Sequence, residues 1–426
     1  MKTSLLIAAA GAALFAGAVA SAQVAVRANT LWTMAGDPIE DGVVVINAEG
    51  KIEAVGPAAS TPIPEGYDLR RCEVATPGLI DVRTTLGLTG IYNEEADQDQ
   101  IDSSSPLQPQ LRAMDAYNPL DRLVGYVRGF GVTTIHTGHA PGELLSGRTM
   151  IVKTRGGTVE EATVVGELGL AATLSPIAQK GGGKSPGSRG KMMEMLRSEL
   201  IKAQAYRAKW KKWEAGGEEA EGGEKKDKKD PPSRDLKMEA LVQALDGQAP
   251  FIVTANKSQD IANALRLAEE FDLNLWLDMG AESPLFIEEL KERDIPVLLH
   301  PTMYRAVGDA ESLSFETAST LADAGVRFAI QTGFEGYVPK VRVVLFEAAT
   351  AAGAGGLGFQ RALEAVTIDA AEILGIEGRV GSLAVGKDGD VAMYDGDPFE
   401  HTTHCVGVVI EGEVFGGERE FERNYP

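Results

Sequence analysis

Histidine and cysteine are scarce in this chain, with five of the first and two of the second in 426 residues. Cys72 and Cys405 stand near opposite ends of the chain. They leave two options open: one disulfide tying start to finish, or two unconnected small apolar residues. Cations are also in deficit. Lys and Arg total 41 against 62 Asp and Glu, a formal net charge of −21. A phosphate-binding surface needs clustered Lys and Arg, so nucleic acid is excluded as a partner. No internal apolar run reaches the ~18–20 residues of a membrane span, so none is expected in the mature chain. What is present is an ordinary globular composition, 44% hydrophobic, in a chain long enough for a large barrel with an accessory lobe or for two to three domains.

The N-terminus has its own pattern. A positive start is followed by "LLIAAAGAALFAGAVA" (5–20) and by "ASA" (20–22), the small-x-small pattern that a signal peptidase cuts. Residues 1–22 are therefore expected to be a signal peptide, and the mature protein periplasmic or secreted. A membrane anchor is the alternative, for which 16 residues rich in Ala and Gly are short.

Both ends of the mature chain read as short strands. "DGVVVINAEGKIEAVG" (41–56) predicts a hairpin around a tight Gly turn, and "VGVVIEGEVF" (406–415) repeats the style. Between them, strands alternate with helices. "GVTTIHTG" (131–138), "APFIVTAN" (249–256), "LNLWLDMG" (273–280), "IPVLLHP" (295–301) and "VRFAIQTG" (326–333) read as strands. "SQDIANALRLAEEF" (258–271) reads as an amphipathic helix. A helix over 190–213 carries Tyr206, Trp210 and Trp213 at helical spacing, either packed on the body or facing a partner. The charge-dominated run 214–230 behind it predicts a solvated loop. The expected fold is α/β: a (β/α)8 TIM-like barrel with a small composite β-sandwich built from both chain ends. The sandwich takes 23–75 and 377–426, and the barrel 76–376 with a charged insertion around 181–235.

The mature chain resembles the amidohydrolase superfamily, in particular its imidazolonepropionase-like exported members. The resemblance is carried by "ATPGLIDVRTTLG" (75–87), "GVTTIHTGHAPGELLSGRTMIVKTRG" (131–156), "AVTIDAAEILGIEGRVGSLAVGKDGDVAMYDGDPF" (365–399) and the closing "VGVVIEGEVF". It implies hydrolysis of C–N bonds by water activated on zinc or another divalent ion, held by imidazole and carboxylate ligands. It also implies oligomers, either homo-oligomers or hetero-oligomers with an active paralogue.

The ligand positions depart from that pattern. The His-x-His pair of the first strand is replaced by Arg83 and Thr85. Thr254 and Asn256 stand where the fifth strand would read "HAH", Met279 fills the sixth-strand slot, and Gly333 takes the place of the eighth-strand Asp. A bridging Lys would fall near Leu174. Arg carries a permanent positive charge, Thr is a poor ligand, Met suits soft metals and Gly offers none. No metal cofactor is therefore expected. The mouth is expected to be a degenerate pocket of Arg83, Thr85, Thr254, Asn256, Met279 and Gly333. Three readings follow: a degenerate homologue that binds or scaffolds, an active C–N hydrolase with a relocated site, and a periplasmic small-molecule binding protein in which Arg83 pairs with a carboxylate. A relocated site would draw on His136, His139 and His300, with Asp278 or Glu282. His401 and His404 read as loop residues. "LLSGRT" (144–149) lacks a nucleophile elbow and "AAGAGGLG" (351–358) lacks the lysine of a phosphate loop.

Overall fold

The computed structural model describes residues 23–91, 94–215, 230–300, 302, 306–334, 343–417 and 419. The expected signal peptide and residues 216–229 of the charged run lie outside the described residues. Four strands open the chain: β1 (Val24–Leu31), β2 (Ile39–Ile46), β3 (Ile52–Pro57) and β4 (Asp68–Pro77). The hairpin expected between β2 and β3 is present and antiparallel. Its turn is fixed locally, since Asn47 Oδ1 accepts from the backbone N–H of Glu49 and Lys51. Gly50 sits at φ +73°, and a Cβ there would lie 2.3 Å from the carbonyl oxygen of Glu411, so only glycine fits.

The middle of the chain contributes β5 (Leu79–Thr84), β6 (Val132–Thr137), β7 (Leu145–Arg148), β8 (Met150–Lys153), β9 (Thr163–Val165), β10 (Leu170–Thr173), β11 (Phe251–Ala255), β12 (Leu275–Met279), β13 (Val297–Leu299) and β14 (Phe328–Ile330). Strands β10 to β14 are parallel neighbours, with β7 antiparallel on the β10 edge. Helices cross over between them. Ser258–Phe271, for example, buries Ile261, Ala264, Leu265 and Ala268 and stops at left-handed Asp272. The strands divide into a six-stranded sheet and a four-stranded sheet, β5-β6-β8-β9. A parallel bridge between Thr84 and Gly333 brings the β5 edge to the chain leaving β14. Hydrogen bonding thus forms two sheets that meet at an edge, where the sequence predicted one ring of eight strands.

The C-terminal strands β15 (Val391–Tyr394), β16 (Cys405–Ile410) and β17 (Glu413–Gly416) return to the opening ones. The result is one seven-stranded sheet, β17-β16-β15-β4-β1-β2-β3. Cys72 and Cys405 both lie in this sheet and are not bonded to each other, with β15 between their strands. That settles the open choice against a disulfide, and burial pushes the Cys72 thiol up to about 12. Behind the sheet, Lys153 at the end of β8 is 2% exposed and pairs with Asp388, 3.3 Å away, and with Asp390. Asp388 also pairs with the half-exposed Lys51 and Arg379, so one ionic cluster with a buried centre joins the middle of the chain to both ends.

Candidate functional site at the strand ends

Alternation along the strands sorts the centre into layers, because residues two apart share a face. Ile80, Val82, Ile252, Trp276, Leu298 and Ala329 form one apolar cluster. Two positions further along their strands come Thr254, Asp278, His300 and Gln331, all buried. Around this polar layer lie the candidate residues, several of them bonded to backbone.

Thr254 Oγ1 donates to Asp278 Oδ2, and Gln331 Nε2 donates to Asp278 Oδ1 at 2.6 Å. His300 Nδ1 donates to the Gln331 carbonyl at 3.2 Å. The pairing register sets Thr254 opposite Asp278 and Ala255 opposite Met279. It is therefore Asp278, not Met279, that follows Thr254 on the inner face. Met279 has a left-handed backbone, φ +74°, and its sulfur meets Asn256 Nδ2 at 3.6 Å. Asn256 Oδ1 in turn accepts from the Ala281 N–H. Thr85 is turned into the following loop, where its hydroxyl accepts from Thr89 Oγ1 at 3.1 Å. Leu174 is buried, with its N–H on the Thr254 carbonyl.

Arg83 is 3% exposed. Its Nη1 donates to the Thr84 carbonyl at 2.9 Å and its Nη2 to the His139 carbonyl. One N–H of each terminal nitrogen is thus held by a backbone carbonyl, while the buried Nε has no hydrogen-bond partner among the described residues. Burial lowers the Arg83 pKa, opposed by the fields of Asp278 and Asp81. Asp81 accepts from Thr332 Oγ1 and the Thr332 N–H, and burial pushes its carboxyl up to about 7.

The three histidines do not gather. His136 uses both ring nitrogens: Nδ1 donates to the Val82 carbonyl at 2.7 Å, which assigns Nε2 as acceptor from Thr149 Oγ1, also 2.7 Å. Burial, then the Arg83 charge, lowers its pKa to about 3. His139 is lowered to about 4 for the same two reasons, and its Nδ1 lies against Gly147, where a Cβ would come within 2.6 Å. The His300 ring occupies the space beside Gly333, so a Cβ at that position would lie 2.8 Å from it. Glu282 is taken by the Ser258 N–H at 2.6 Å, Ser312 Oγ at 2.7 Å and Lys257 Nζ at 3.3 Å. His404 faces Asp395 in the C-terminal part, and His401 is exposed.

A divalent ion needs several lone pairs aimed at one point in a field that welcomes positive charge. Here the ring lone pair of His136 and one lone pair on each Asp278 oxygen are committed to protein donors, and the Arg83 charge acts on both residues. Among the described residues, no three His, Cys, Asp or Glu side chains converge in that way. Among the described residues these donors do not fit a catalytic metal. Sequence reasoning overlooked Asp81 and Gln331, and it placed Asp278 only among possible relocated ligands. The two-residue alternation from Ala329 to Gln331 was the signal available.

Residues 347–415 match the amidohydrolase family. In three dimensions the chain is similar to an amidohydrolase from Thermotoga maritima MSB8, with 26% identity and a TM-score of 0.84 over 92% of this chain and 100% of that one. This is an amidohydrolase-like fold. It is shared, at 16% identity in each case, with an adenosine deaminase from Xanthomonas campestris with bound zinc and with molinate hydrolase. Their TM-scores are 0.54 and 0.58, over 94% of this chain in both and 94% and 95% of theirs. Comparison with curated protein sequences finds no match. The fold and the matched segment are those of a hydrolase-like protein. No helix among the described residues is long and apolar enough to cross a membrane.

Proposed function

We propose that this chain is a degenerate amidohydrolase, exported and imidazolonepropionase-like, that binds or scaffolds rather than hydrolyses. In this reading the two central sheets together form a barrel whose C-terminal mouth is the ancestral site. The partner is an active relative or a second copy that retains a shared interface. One observation carries the reading: Arg83 sits buried at the first ligand position and is locked to the Thr84 and His139 carbonyls. A permanent cation there opposes a divalent ion by charge and by volume.

The competing hydrolase reading needs His136, His139 or His300 to act. The amidohydrolase from Thermotoga maritima MSB8, similar over its whole length, is the finding that favours it. The deciding experiment is a screen of small amides and dipeptides with the wild type and the three single alanine variants. The proposal expects background rates throughout and no effect of a chelator. Turnover that disappears on chelation, or in any one of the three variants, would overturn it.

A further inference from the structure

We propose that residues 307–312 form a strap that closes the mouth over β10, β11 and β12, and that its release admits a ligand to the polar layer beneath. This goes beyond the reading above, because it holds whether the mouth hydrolyses or only binds. The strap follows β13, and its side chains reach back across the neighbouring strand ends in order. Ser312 Oγ donates to Glu282 Oε1 at 2.7 Å, and Glu282 stands three residues after β12. Glu311 Oε1 pairs at 2.5 Å with Lys257 Nζ, two residues after β11. Asp309 Oδ2 accepts at 2.8 Å from Ser175 Oγ, two residues after β10. Positions 312, 311 and 309 thus meet β12, β11 and β10, which are successive parallel neighbours. Two strand spacings are about 10 Å, a span that four residues and their side chains cover.

Thr173, Thr254 and Asp278 lie further down the same strands, before Ser175, Lys257 and Glu282 in turn, and all three are buried. Lys257 is the centre of the latch. It also pairs with Glu282 Oε1 at 3.3 Å, so one ammonium ties the strap carboxylate to a strand-end carboxylate. Ala310 is buried, which packs the strap down on the body. The fastening is nevertheless light enough to release. Glu311 is 65% exposed, so salt screens its pair with Lys257. Asp309 Oδ1 is buried without a hydrogen-bond partner among the described residues, a cost that favours the open strap.

The test is modification of the full chain with diethyl pyrocarbonate near neutral pH, followed histidine by histidine by mass spectrometry. His401 is exposed and His300, at the end of β13, is 2% exposed. His401 is expected to react first, and His300 at a rate set by strap opening. Lys257→Met is expected to raise the His300 rate about three-fold or more, and Lys257→Arg to leave it within about two-fold of wild type. Raising NaCl from about 0.05 to 1 M is expected to speed His300 in wild type and to add little in Lys257→Met. His136, with both ring nitrogens bonded inside the fold, reports general loosening and is expected to stay unreactive. A His300 rate unchanged in Lys257→Met and in high salt, or one that rises only in step with His136, would overturn the strap. If Lys257→Met does not fold, Ser175→Ala, which removes only the Asp309 contact, takes its place with the same expected direction. These rates do not depend on metal or turnover. Failure here leaves the reading above in place, and turnover that sinks that reading leaves the strap standing.

Discussion

Asp81 is a carboxyl cut off from water, and its titration gives the most direct residue-level prediction. Burial first, then the field of Glu347, raises its pKa from 3.8 to about 7, against the pull of hydrogen bonds from Thr332 and the Arg83 N–H. A raised carboxyl stabilises the fold fully below its unfolded pKa and loses that contribution as pH rises through the folded value. Each unit is worth ~1.4 kcal/mol, so a few kcal/mol are at stake between about pH 4 and 7. Asp81→Asn keeps an acceptor for Thr332 but cannot ionise. Its Tm relative to wild type is expected to climb as pH goes from 5 to 8.5. A flat difference across that range would show that Asp81 ionises freely. His136 and His139 act with the opposite sign. Their pKa values are lowered to about 3 and 4, so their contribution is complete above 6.5 and is lost as pH falls towards those values. Between about pH 4 and 6.5 the two imidazoles and Asp81 therefore act in opposite directions.

At the scale of elements, local signals were legible and long-range partners were not. The β2–β3 hairpin announced itself through two β-branched runs around "NAEG", and the helix Ser258–Phe271 through its apolar face. That Arg83, Thr254 and Gly333 stand where the resemblance implies metal ligands was a reading of motif positions alone. What the sequence does not encode locally is which atoms each polar residue meets. Nothing near His136 in the chain announces that Val82 and Thr149 will take both its nitrogens. Nothing near Gly333 shows that the His300 ring will fill its side-chain space. Lys153 is the extreme case, since its partner Asp390 lies 237 residues away. That pairing yields a prediction about how the sheets are held together. Lys153→Met leaves Asp388 and Asp390 buried with one cation fewer, which should cost about 3–5 kcal/mol. Urea unfolding is the measurement. A loss below about 1 kcal/mol would mean that Lys51 and Arg379 compensate Asp388 and Asp390 without Lys153.

For the whole molecule, the fold and the mouth point in different directions. The architecture is that of hydrolases, one of which is similar at a TM-score of 0.84 over its full length. In the polar layer at the strand ends Thr254 and Gln331 both donate to Asp278, while Arg83 donates to backbone carbonyls. In the proposed reading the scaffold persists without the chemistry, because a fold does not by itself fix the function of its site. The direct measurement is the zinc, manganese, iron and cobalt content of protein purified without chelators and then exposed to excess zinc and desalted. A mouth that holds no metal is expected to retain well below one equivalent of any of these metals per chain. One or two tightly held equivalents, lost when His136, His139, His300 or Asp278 is replaced, would contradict it.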